Sequence, residues 1–434
     1  MNQINNTIPD LLVIGSGPSG MMGAIAAAAK GAKVTILEQM KKPGMKLLAT
    51  GGRRCNLTNT KSPEAIMSDF GRNGRFMAPA LALFDNSLLR DFFHQLGVPT
   101  HSPDGFRVWP KTHRATSIHS ALLKHAEELG ISIICDCEVK EVLVDNQKVL
   151  GVNTTRGTFS ARTVLLATGG LSLASTGSTG SGYILAKNIG HKIKPTFPSG
   201  VPLFAKESWT AKCTADTIPR VKAKVNINSA TELNDGKPMK GVKGIQATGD
   251  LIFSRKGIAG PLALNLSREL APVLAKYPEV PIELNLVHGQ SEGTVYESLI
   301  NQKNLKPKDY LDQALSAFAP PSLREVLLHQ LEFDKSQLIA ETGNKQLLAA
   351  AQFLTKTPLT IYDTAGYVRA IATKGGVDLK GINPKTLMSK QIENLFFSGE
   401  LVDMDGPCGG YNLTWAFTSG RLAGTRAYEA TQDL

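Results

Sequence analysis

The stretch LLVIGSGPSGMMGAIAAAAKGAKVTILEQ, residues 11–39, carries the clearest structural signal in this chain. An apolar run precedes a turn with the spacing G-x-G-x-x-G, whose glycines are Gly15, Gly17 and Gly20. An alanine-rich segment then stops at Gly31, and a second apolar run ends at Glu38. This order predicts a strand, a tight turn, a helix and a second strand, which together open a parallel α/β sheet.

The same turn is typical of dinucleotide-binding proteins. Gly15 permits the turn, Gly17 lacks the Cβ that would block a pyrophosphate, and Gly20 lets the helix approach the strand. Glu38 is placed to accept hydrogen bonds from a ribose diol, which argues against a 2′-phosphate there. The alternative is a turn that only connects strand and helix. The residues expected to contact the dinucleotide are Gly15, Ser16, Gly17, Pro18, Ser19, Gly20, Glu38 and Gln39.

Length and charge narrow the class of protein. At 434 residues with 42% apolar side chains, the chain is long enough for two or three domains with buried cores, which excludes a disordered protein or a small disulfide scaffold. Lys and Arg number 48 against 37 Asp and Glu, a net charge of +11. This charge favours an anionic partner, but it does not choose among nucleic acid, a phosphate-bearing cofactor and an acidic membrane.

The five cysteines predict a cytoplasmic protein without a disulfide framework, because the set is odd and sparse. No four-ligand set accompanies Cys135 and Cys137, so no metal site is predicted. The apolar stretch 21–29 is shorter than the ~20 residues needed to cross a bilayer. The segment MNQINNTIPD contains no Lys or Arg, so no signal peptide is expected either.

The patterns of apolar, β-branched and turn-forming residues along the chain predict three structural parts. Strand and helix patterns alternate up to about residue 195, with a helix expected over residues 78–96, and a last strand and helix return near the C-terminus. Between them, β-branched runs broken by Gly, Pro and Asn favour a β-barrel. We therefore expect a discontinuous first domain at 1–195 and 374–434, a barrel at 196–305 and 354–373, and a helical subdomain at 306–353.

Two distant segments indicate which dinucleotide is bound. LLATGG at 165–170 and LFFSGE at 395–400 resemble the second and third fingerprints of the two-dinucleotide-binding class of FAD proteins. The resemblance implies FAD contacts from Ala167, Thr168, Gly169, Gly399 and Glu400, with Glu400 holding the ribityl chain. It also implies that the N-terminus of the following helix faces the flavin pyrimidine ring and favours its anionic reduced form.

Longer motifs make the resemblance family-specific. KLLATGGRRCNLTN at 46–59, GIAGP at 257–261, GGV at 375–377, and the segment from GELVD at 399–403 through GGYN at 409–412 resemble the bacterial flavoprotein family called HI0933-like, BaiN-like or aminoacetone-oxidase-like. That family implies a Rossmann-like FAD domain interrupted by a β-barrel and a helical subdomain. Further cofactor contacts follow from the matched motifs or are expected with them: Lys46, Thr50, Gly51, Gly52, Arg54, Asn56, Val139, Gly410, Tyr411, Asn412 and Leu413.

One residue departs from the family pattern. Arg53 stands where the family usually has a third glycine. If that position needs a positive φ, an arginine there costs on the order of 1 kcal/mol of backbone strain.

The resemblance implies an FAD-dependent oxidoreductase that reduces a C=C bond. Members of the family are linked to dihydrouridine formation in large-subunit ribosomal RNA, with a hydride added to uracil C6 and a proton to C5. Other members reduce enones of steroid-like acids or oxidise aminoacetone, so a small-molecule substrate is the alternative, and a non-enzymatic FAD-binding protein is a third possibility. No second nucleotide-binding unit is visible in residues 171–373, so NADPH or NADH is expected only as a transient electron donor.

Two cysteines are candidates for the proton donor. Cys408, in the GPCGG loop, and Cys55, in the other flavin loop, could each supply a proton from a thiol. The alternative is that both are small packing residues beside the ring. The segments GFRVWPKTHR at 105–114 and FSRKG at 253–257 mix aromatic and basic side chains, which suits either base stacking on RNA or an ordinary solvated turn.

Overall fold

The computed structural model describes residues 8–214 and 216–432. The chain divides into two compact units, each with its own apolar core. One unit comprises the described residues up to Phe197 and those from Ile371 onward, and the other spans Pro198–Ala370. The first unit is therefore discontinuous in sequence. The finer three-part division stays a prediction.

A five-stranded parallel sheet forms the centre of the first unit. In spatial order its strands are Leu395–Phe397, Thr163–Leu166, Leu11–Ile14, Val34–Leu37 and Ser132–Ile134. All four residues of Leu11–Ile14 are buried, as expected where both faces of a parallel sheet are covered. After the central strand Leu11–Ile14, the chain adds Val34–Leu37 and Ser132–Ile134 on one side of it. It then adds Thr163–Leu166 and Leu395–Phe397 on the other side, so the strand order reverses at the central strand. The α/β fold class and its Rossmann-type sheet are confirmed.

The first and last helices of this unit pack closely. They span Pro18–Ala28 and Tyr411–Gln432. A Cβ on Gly424 would lie 2.0 Å from the carbonyl oxygen of Gly23, so only glycine fits at that crossing. This contact joins the C-terminal segment to the first βα unit.

Shorter elements complete the first unit. Its other helices are Met45–Arg53, Pro63–Asp69, Ala78–Leu83, Asn86–Gln95, Ala115–Glu128 and Ser181–Asn188, with 3-10 turns at Gly71–Met77, Ala174–Thr176, Leu379–Gly381 and Gly399–Leu401. Antiparallel sheets are formed by Thr58–Asn59, Arg107–Pro110 and Thr100–His101, and by Val139–Asp145, Lys148–Thr154 and Gly157–Ser160. Ile193–Ser199 pairs with Ala372–Val377.

The helix predicted over residues 78–96 is interrupted. Phe84 leaves helical geometry at φ −155° and ψ 84°, and the Asp85 side chain accepts a hydrogen bond from the Leu88 backbone nitrogen at 2.9 Å. Because Asp85 caps a new helix, the prediction of one continuous helix was wrong.

A closed six-stranded antiparallel barrel forms the second unit's sheet. Its strands, in order around the barrel, are Leu203–Ala205, Gly257–Ala259, Gln246–Ser254, Thr217–Val225, Val280–Asn285 and Thr357–Thr364. On Thr217–Val225 the residues Val221, Ala223 and Val225 are buried and alternate with exposed lysines. This period of two is the pattern of a half-buried strand. The predicted barrel is confirmed.

Helices accompany the barrel: Ile227–Leu233, Gly260–Leu274, Glu292–Leu305, Leu311–Leu315, Pro321–Gln330, Asn344–Thr355 and Gly366–Arg369, with 3-10 turns at Ser208–Cys213 and Ile339–Glu341. Gly260–Leu274 and Glu292–Leu305 lie where only barrel was predicted. Pro261 lies in the first turn of its helix, where its missing N–H costs no hydrogen bond, so the Gly-Pro pair starts a helix. Barrel strands and helices contribute to one apolar core.

Within residues 8–214 and 216–432, every helix is too short or too polar to cross a bilayer.

Candidate functional site

The glycine turn after Leu11–Ile14 is built as the sequence predicts. Gly15 has φ +100°, and a Cβ on Gly20 would lie 1.9 Å from the Gly15 carbonyl oxygen. Helix Pro18–Ala28 begins with Gly17 as its N-cap and Pro18 in its first turn. A Cβ on Gly17 would meet no heavy atom within 4 Å, so open space lies in front of this helix N-terminus. The unpaired N–H groups there make it a ready anion site.

Glu38 lies beside the same turn and forms hydrogen bonds with it. Its side chain is 8% exposed, and its Oε2 accepts hydrogen bonds from the Ser16 nitrogen and hydroxyl at 2.9 and 2.5 Å. Its Oε1 accepts from the Met40 nitrogen at 2.9 Å. An ionised carboxylate has about four lone-pair sites, so one acceptor position on Oε1 stays available. Gln39 donates its side-chain amide to the Gly177 carbonyl.

The three separated glycine motifs converge. A Cβ on Gly15 would lie 2.7 Å from the carbonyl oxygen of Ala167, in the second motif. A Cβ on Gly399, in the third motif, would lie 2.4 Å from the Ser19 hydroxyl. All three motifs therefore meet at the carboxyl ends of adjacent parallel strands, which is where open α/β sheets bind ligands.

Two buried hydroxyls lie at these strand ends without a hydrogen-bond partner. Thr168 Oγ1 follows strand Thr163–Leu166, and Ser398 Oγ follows strand Leu395–Phe397. Buried polar atoms are nearly always paired, so each such atom calls for an explanation. Ser398 belongs to the third motif but was not predicted as a contact residue.

Glu400 is held by three donors. Lys46 Nζ lies 2.5 Å from Oε2, while the Ser172 hydroxyl and the Thr373 nitrogen each donate to Oε1 at 2.8 Å. Lys46 also lies 2.7 Å from the Ser172 hydroxyl. By the same lone-pair accounting, one acceptor position on Oε2 stays available. Ser172 and Thr373 were missed by the sequence analysis, since neither belongs to a recognised motif.

Residues 50–56 form an unusual loop. Gly51, Gly52 and Arg53 follow one another with φ of 55°, 64° and 69°, which makes a short left-handed turn. Arg53 therefore does occupy the left-handed region that its family position suggests. The Thr50 hydroxyl donates to the Leu47 carbonyl at 2.6 Å, and Gly52, like Gly17, faces open space. The guanidinium carbon of Arg54 lies 4.8 Å from the ring centroid of Trp109.

Three asparagines hold the loop that precedes the final helix. The Asn56 amide accepts from the Gly410 nitrogen and donates to the Thr58 carbonyl, both at 3.0 Å. Asn59 donates to the Gly409 carbonyl at 3.0 Å. Asn412 accepts from the Gly406 nitrogen at 2.8 Å and donates to the carbonyl of the same residue at 3.1 Å. The two asparagine-containing motifs thus bind one backbone segment.

Tyr411 starts the final helix and is fixed by an acid. Its hydroxyl donates to Asp69 Oδ2 at 2.6 Å, and Lys61 Nζ lies 2.6 Å from the same oxygen. Burial, together with the hydrogen bond to Asp69, raises the pKa of the Tyr411 phenol, so it stays protonated. Leu413, two residues further along the helix, is half-buried.

The two candidate thiols differ in access. Cys55 is fully buried with φ +60°, and burial raises its pKa to about 12, only partly offset by a hydrogen bond with Thr50. Cys408 lies half-buried in the loop between Gly406 and Gly410. Burial raises the pKa of Cys408 as well, while the charge of Arg107 opposes the shift.

The remaining predicted residues lie outside the motifs described above. Val139 is buried at the start of strand Val139–Asp145, two residues after Cys137, whose nitrogen donates to the Glu38 carbonyl at 2.9 Å. Trp109 and Phe253 are only 7% and 1% exposed, so neither ring can stack on a nucleic-acid base in this structure. Phe106, the other phenylalanine of these two segments, is half-buried, so the solvated-turn interpretation fits the segments only in part.

Comparison with known proteins identifies relatives that align over nearly the whole chain. A model of the HI0933-like protein Rossmann domain matches residues 9–426. The 3-dehydro-bile acid delta(4,6)-reductase of Clostridium scindens is 31% identical, covering 96% of this chain and 98% of its own. A ribosomal RNA dihydrouridine synthase of Haemophilus influenzae is 28% identical, covering 94% of this chain and 96% of its own.

A solved structure supports the fold alone. The FrdA chain of E. coli quinol fumarate reductase has a TM-score of 0.52 at 17% identity, over 98% of this chain and 71% of that chain. Because the family match extends over residues 9–426 and both sequence relatives align nearly end to end, the chain belongs to the HI0933-like Rossmann family, as an FAD-dependent oxidoreductase.

Proposed function

We propose that the converging motifs hold FAD, with its pyrophosphate at the N-terminus of helix Pro18–Ala28. Glu38 would bind a ribose and Glu400 the ribityl chain. The open space before Gly17 supports this assignment, as do the single acceptor positions left on the two carboxylates. The unpartnered Thr168 and Ser398 hydroxyls are donors that a polar cofactor would satisfy.

Bound FAD supplies a two-electron hydride carrier, and NADPH or NADH is proposed as the transient source of electrons. The chain's own groups would manage charge and protons. The N-terminus of helix Tyr411–Gln432 carries partial positive charge, which favours an anion beside it. Cys408 keeps its proton at neutral pH because burial raises its pKa, so its thiol is the proposed acid.

Uridine in large-subunit ribosomal RNA is the proposed substrate, reduced across its C5–C6 double bond. The observation that carries this choice is the alignment, over 94% and 98% of this chain, with two ribosomal RNA dihydrouridine synthases. The net charge of +11 supports a polyanionic substrate. A cytoplasmic location is part of this proposal, since ribosomal RNA is found there.

Mass spectrometry of ribosomal RNA tests this function. RNA from a strain lacking the gene should lose one dihydrouridine, and a plasmid copy should restore it. Purified protein with FAD and NADPH or NADH should then reduce that uridine in RNA from the deletion strain. Full retention of every dihydrouridine in the deletion strain would overturn the RNA substrate.

A small enone is the second candidate, and one observation favours it. The bile-acid reductase has a higher identity to this chain, 31%, than the ribosomal RNA enzymes at 28% and 27%. Both chemistries reduce a polarised C=C bond. Turnover of a 3-oxo-Δ4,6 bile acid that is insensitive to salt, with no change in ribosomal RNA on deletion, would establish this candidate over the first.

A further inference from the structure

The loop at residues 234–245, NDGKPMKGVKGI, presents lysines from the barrel unit in a regular pattern. It connects helix Ile227–Leu233 to strand Gln246–Ser254. Two sets of side chains interleave with a period of three. Met239, Val242 and Ile245 are 7%, 3% and 8% exposed and belong to the unit's apolar core. Lys237, Lys240 and Lys243 are all exposed.

Hydrogen bonds hold this loop in place. The Lys240 nitrogen donates to the Tyr277 hydroxyl at 2.8 Å, and the Ile245 carbonyl accepts from the Val225 nitrogen at 3.1 Å. The Asn234 side chain donates to the Lys237 carbonyl at 2.8 Å. With three apolar anchors and these bonds, the backbone that carries the lysines is ordered before any partner binds, which lowers the entropic cost of binding.

The loop carries three lysines and one acidic residue. That residue is Asp235, two positions before Lys237, while residues 236–249 contain no Asp or Glu. Among the residues that the structure describes, no carboxylate lies within 4 Å of these lysines, whereas Lys224 of the same barrel pairs with Glu283 at 3.1 Å. Three cations without internal counterions on a fixed loop form a surface suited to a multiply charged anion.

We propose that this loop binds the phosphate backbone of RNA. The inference deepens the proposed ribosomal RNA function and rests on it. A lysine side chain contacts phosphate as a point charge without reading sequence, so the loop would add affinity and position the RNA. An anionic membrane would attract the same charges, but membrane-surface segments also expose apolar side chains, and here Met239, Val242 and Ile245 point into the core.

Charge removal with a matched control tests the proposal. The loop variant is Lys237→Gln/Lys240→Gln/Lys243→Gln, and the control is Lys306→Gln/Lys308→Gln/Lys345→Gln, which removes the same charge from exposed positions of the same unit. Binding to a transcribed fragment of large-subunit ribosomal RNA is measured by fluorescence anisotropy over a series of KCl concentrations. Thermal unfolding followed by circular dichroism checks that each variant is folded as the wild type is.

We expect the loop variant to bind roughly tenfold more weakly at low salt, with a log Kd against log salt slope shallower by about 2, because each neutralised phosphate contributes about 0.7–0.9. The control should bind within about threefold of the wild type. Equal RNA binding by the two variants would overturn the proposal. So would a loop variant that loses affinity for phosphatidylserine vesicles while keeping its affinity for RNA.

The mass-spectrometry experiment separates this inference from the proposed function. If the deletion strain loses dihydrouridine and the loop variant binds RNA like the control, the loop inference fails and the function stands. If the deletion strain keeps every dihydrouridine, the ribosomal substrate fails. Weaker RNA binding by the loop variant would then still identify the loop as an RNA contact.

Discussion

Lys46 Nζ lies 2.5 Å from Glu400 Oε2, although 354 residues separate the two in sequence. Their side chains are only 17% and 19% exposed, and the Ser172 hydroxyl contacts both charged groups. Two motifs recognised separately in the sequence are thereby joined by one ion pair. This pair orients the carboxylate that is proposed to hold the ribityl chain.

A double-mutant cycle should reveal this coupling. Lys46→Met leaves a largely buried carboxylate without its counterion, so the free energy of unfolding should fall by about 2–4 kcal/mol. Adding Glu400→Gln removes the charge and should recover part of the loss, giving a coupling of about 1–3 kcal/mol. Urea unfolding of the four proteins measures it. Additive effects of the two substitutions would contradict a significant ion pair.

Arg53→Gly should stabilise the protein. Arg53 has φ +69°, where a Cβ is strained and glycine is not. The relief of strain should outweigh the entropic cost of glycine in the unfolded chain. We therefore expect the free energy of unfolding to rise by about 0.5–1 kcal/mol. Arg54→Gly is the control: at φ −99° glycine relieves nothing, and the contact with Trp109 is lost, so stability should fall. Thermal unfolding that ranks the two variants the other way round would refute this account.

Cys408→Ala should slow substrate reduction without loss of bound FAD. The thiol is the proposed acid, and general acid catalysis typically contributes about 10²–10⁴-fold. Cys55→Ala is the comparison, because Cys55 is fully buried and should affect stability more than turnover. Single-turnover rates and the absorbance of bound FAD check both variants. An unchanged rate for Cys408→Ala would eliminate the acid role.

His191 should make stability depend on pH. It is 3% exposed, its Nε2 lies 3.0 Å from the Ser389 hydroxyl, and burial lowers its pKa from 6.5 to about 4. Above pH 6.5 both the folded and unfolded states are neutral. Between pH 6.5 and 4 only the unfolded state gains the proton, so stability falls, by about 3 kcal/mol in total. Below pH 4 this contribution is constant.

His191→Gln should remove that part of the pH dependence while keeping a hydrogen-bonding side chain. His329→Gln, at an exposed position, is the control. Urea unfolding between pH 4 and 7 gives the difference between each variant and the wild type. Parallel curves for His191→Gln and the wild type would show that this histidine is not the cause.

Gly424→Ala should destabilise the first unit. The new Cβ would lie 2.0 Å from the Gly23 carbonyl oxygen, which is backbone and cannot rotate away, so the helices must separate. Overpacking of this kind typically costs about 1–3 kcal/mol. Gly293→Ala is the control, since its Cβ would meet only the Ser291 hydroxyl, at 3.8 Å, and alanine favours a helix. Equal unfolding midpoints for the two variants would contradict the close crossing.

The sequence alone was sufficient for the local units of the fold. The strand, turn and helix of residues 11–28 follow from the spacing of apolar residues and glycines, because that spacing acts within a few residues. The family match and the FAD cofactor also follow from sequence motifs. The helices Gly260–Leu274 and Glu292–Leu305 were missed, because the Gly, Pro and Asn residues of this region were interpreted as breaks between barrel strands.

The contacts between distant residues come from the tertiary packing. The ion pair of Lys46 with Glu400 and the contacts of Asn56 and Asn59 to the loop before Tyr411 join segments more than 340 positions apart. Burial of Trp109 removed it as a base-stacking surface, although its basic neighbours suggested one. Contacts of this kind depend on how separate elements pack, and no local periodicity carries that information. The residue types came from the sequence, and the packing determined their partners.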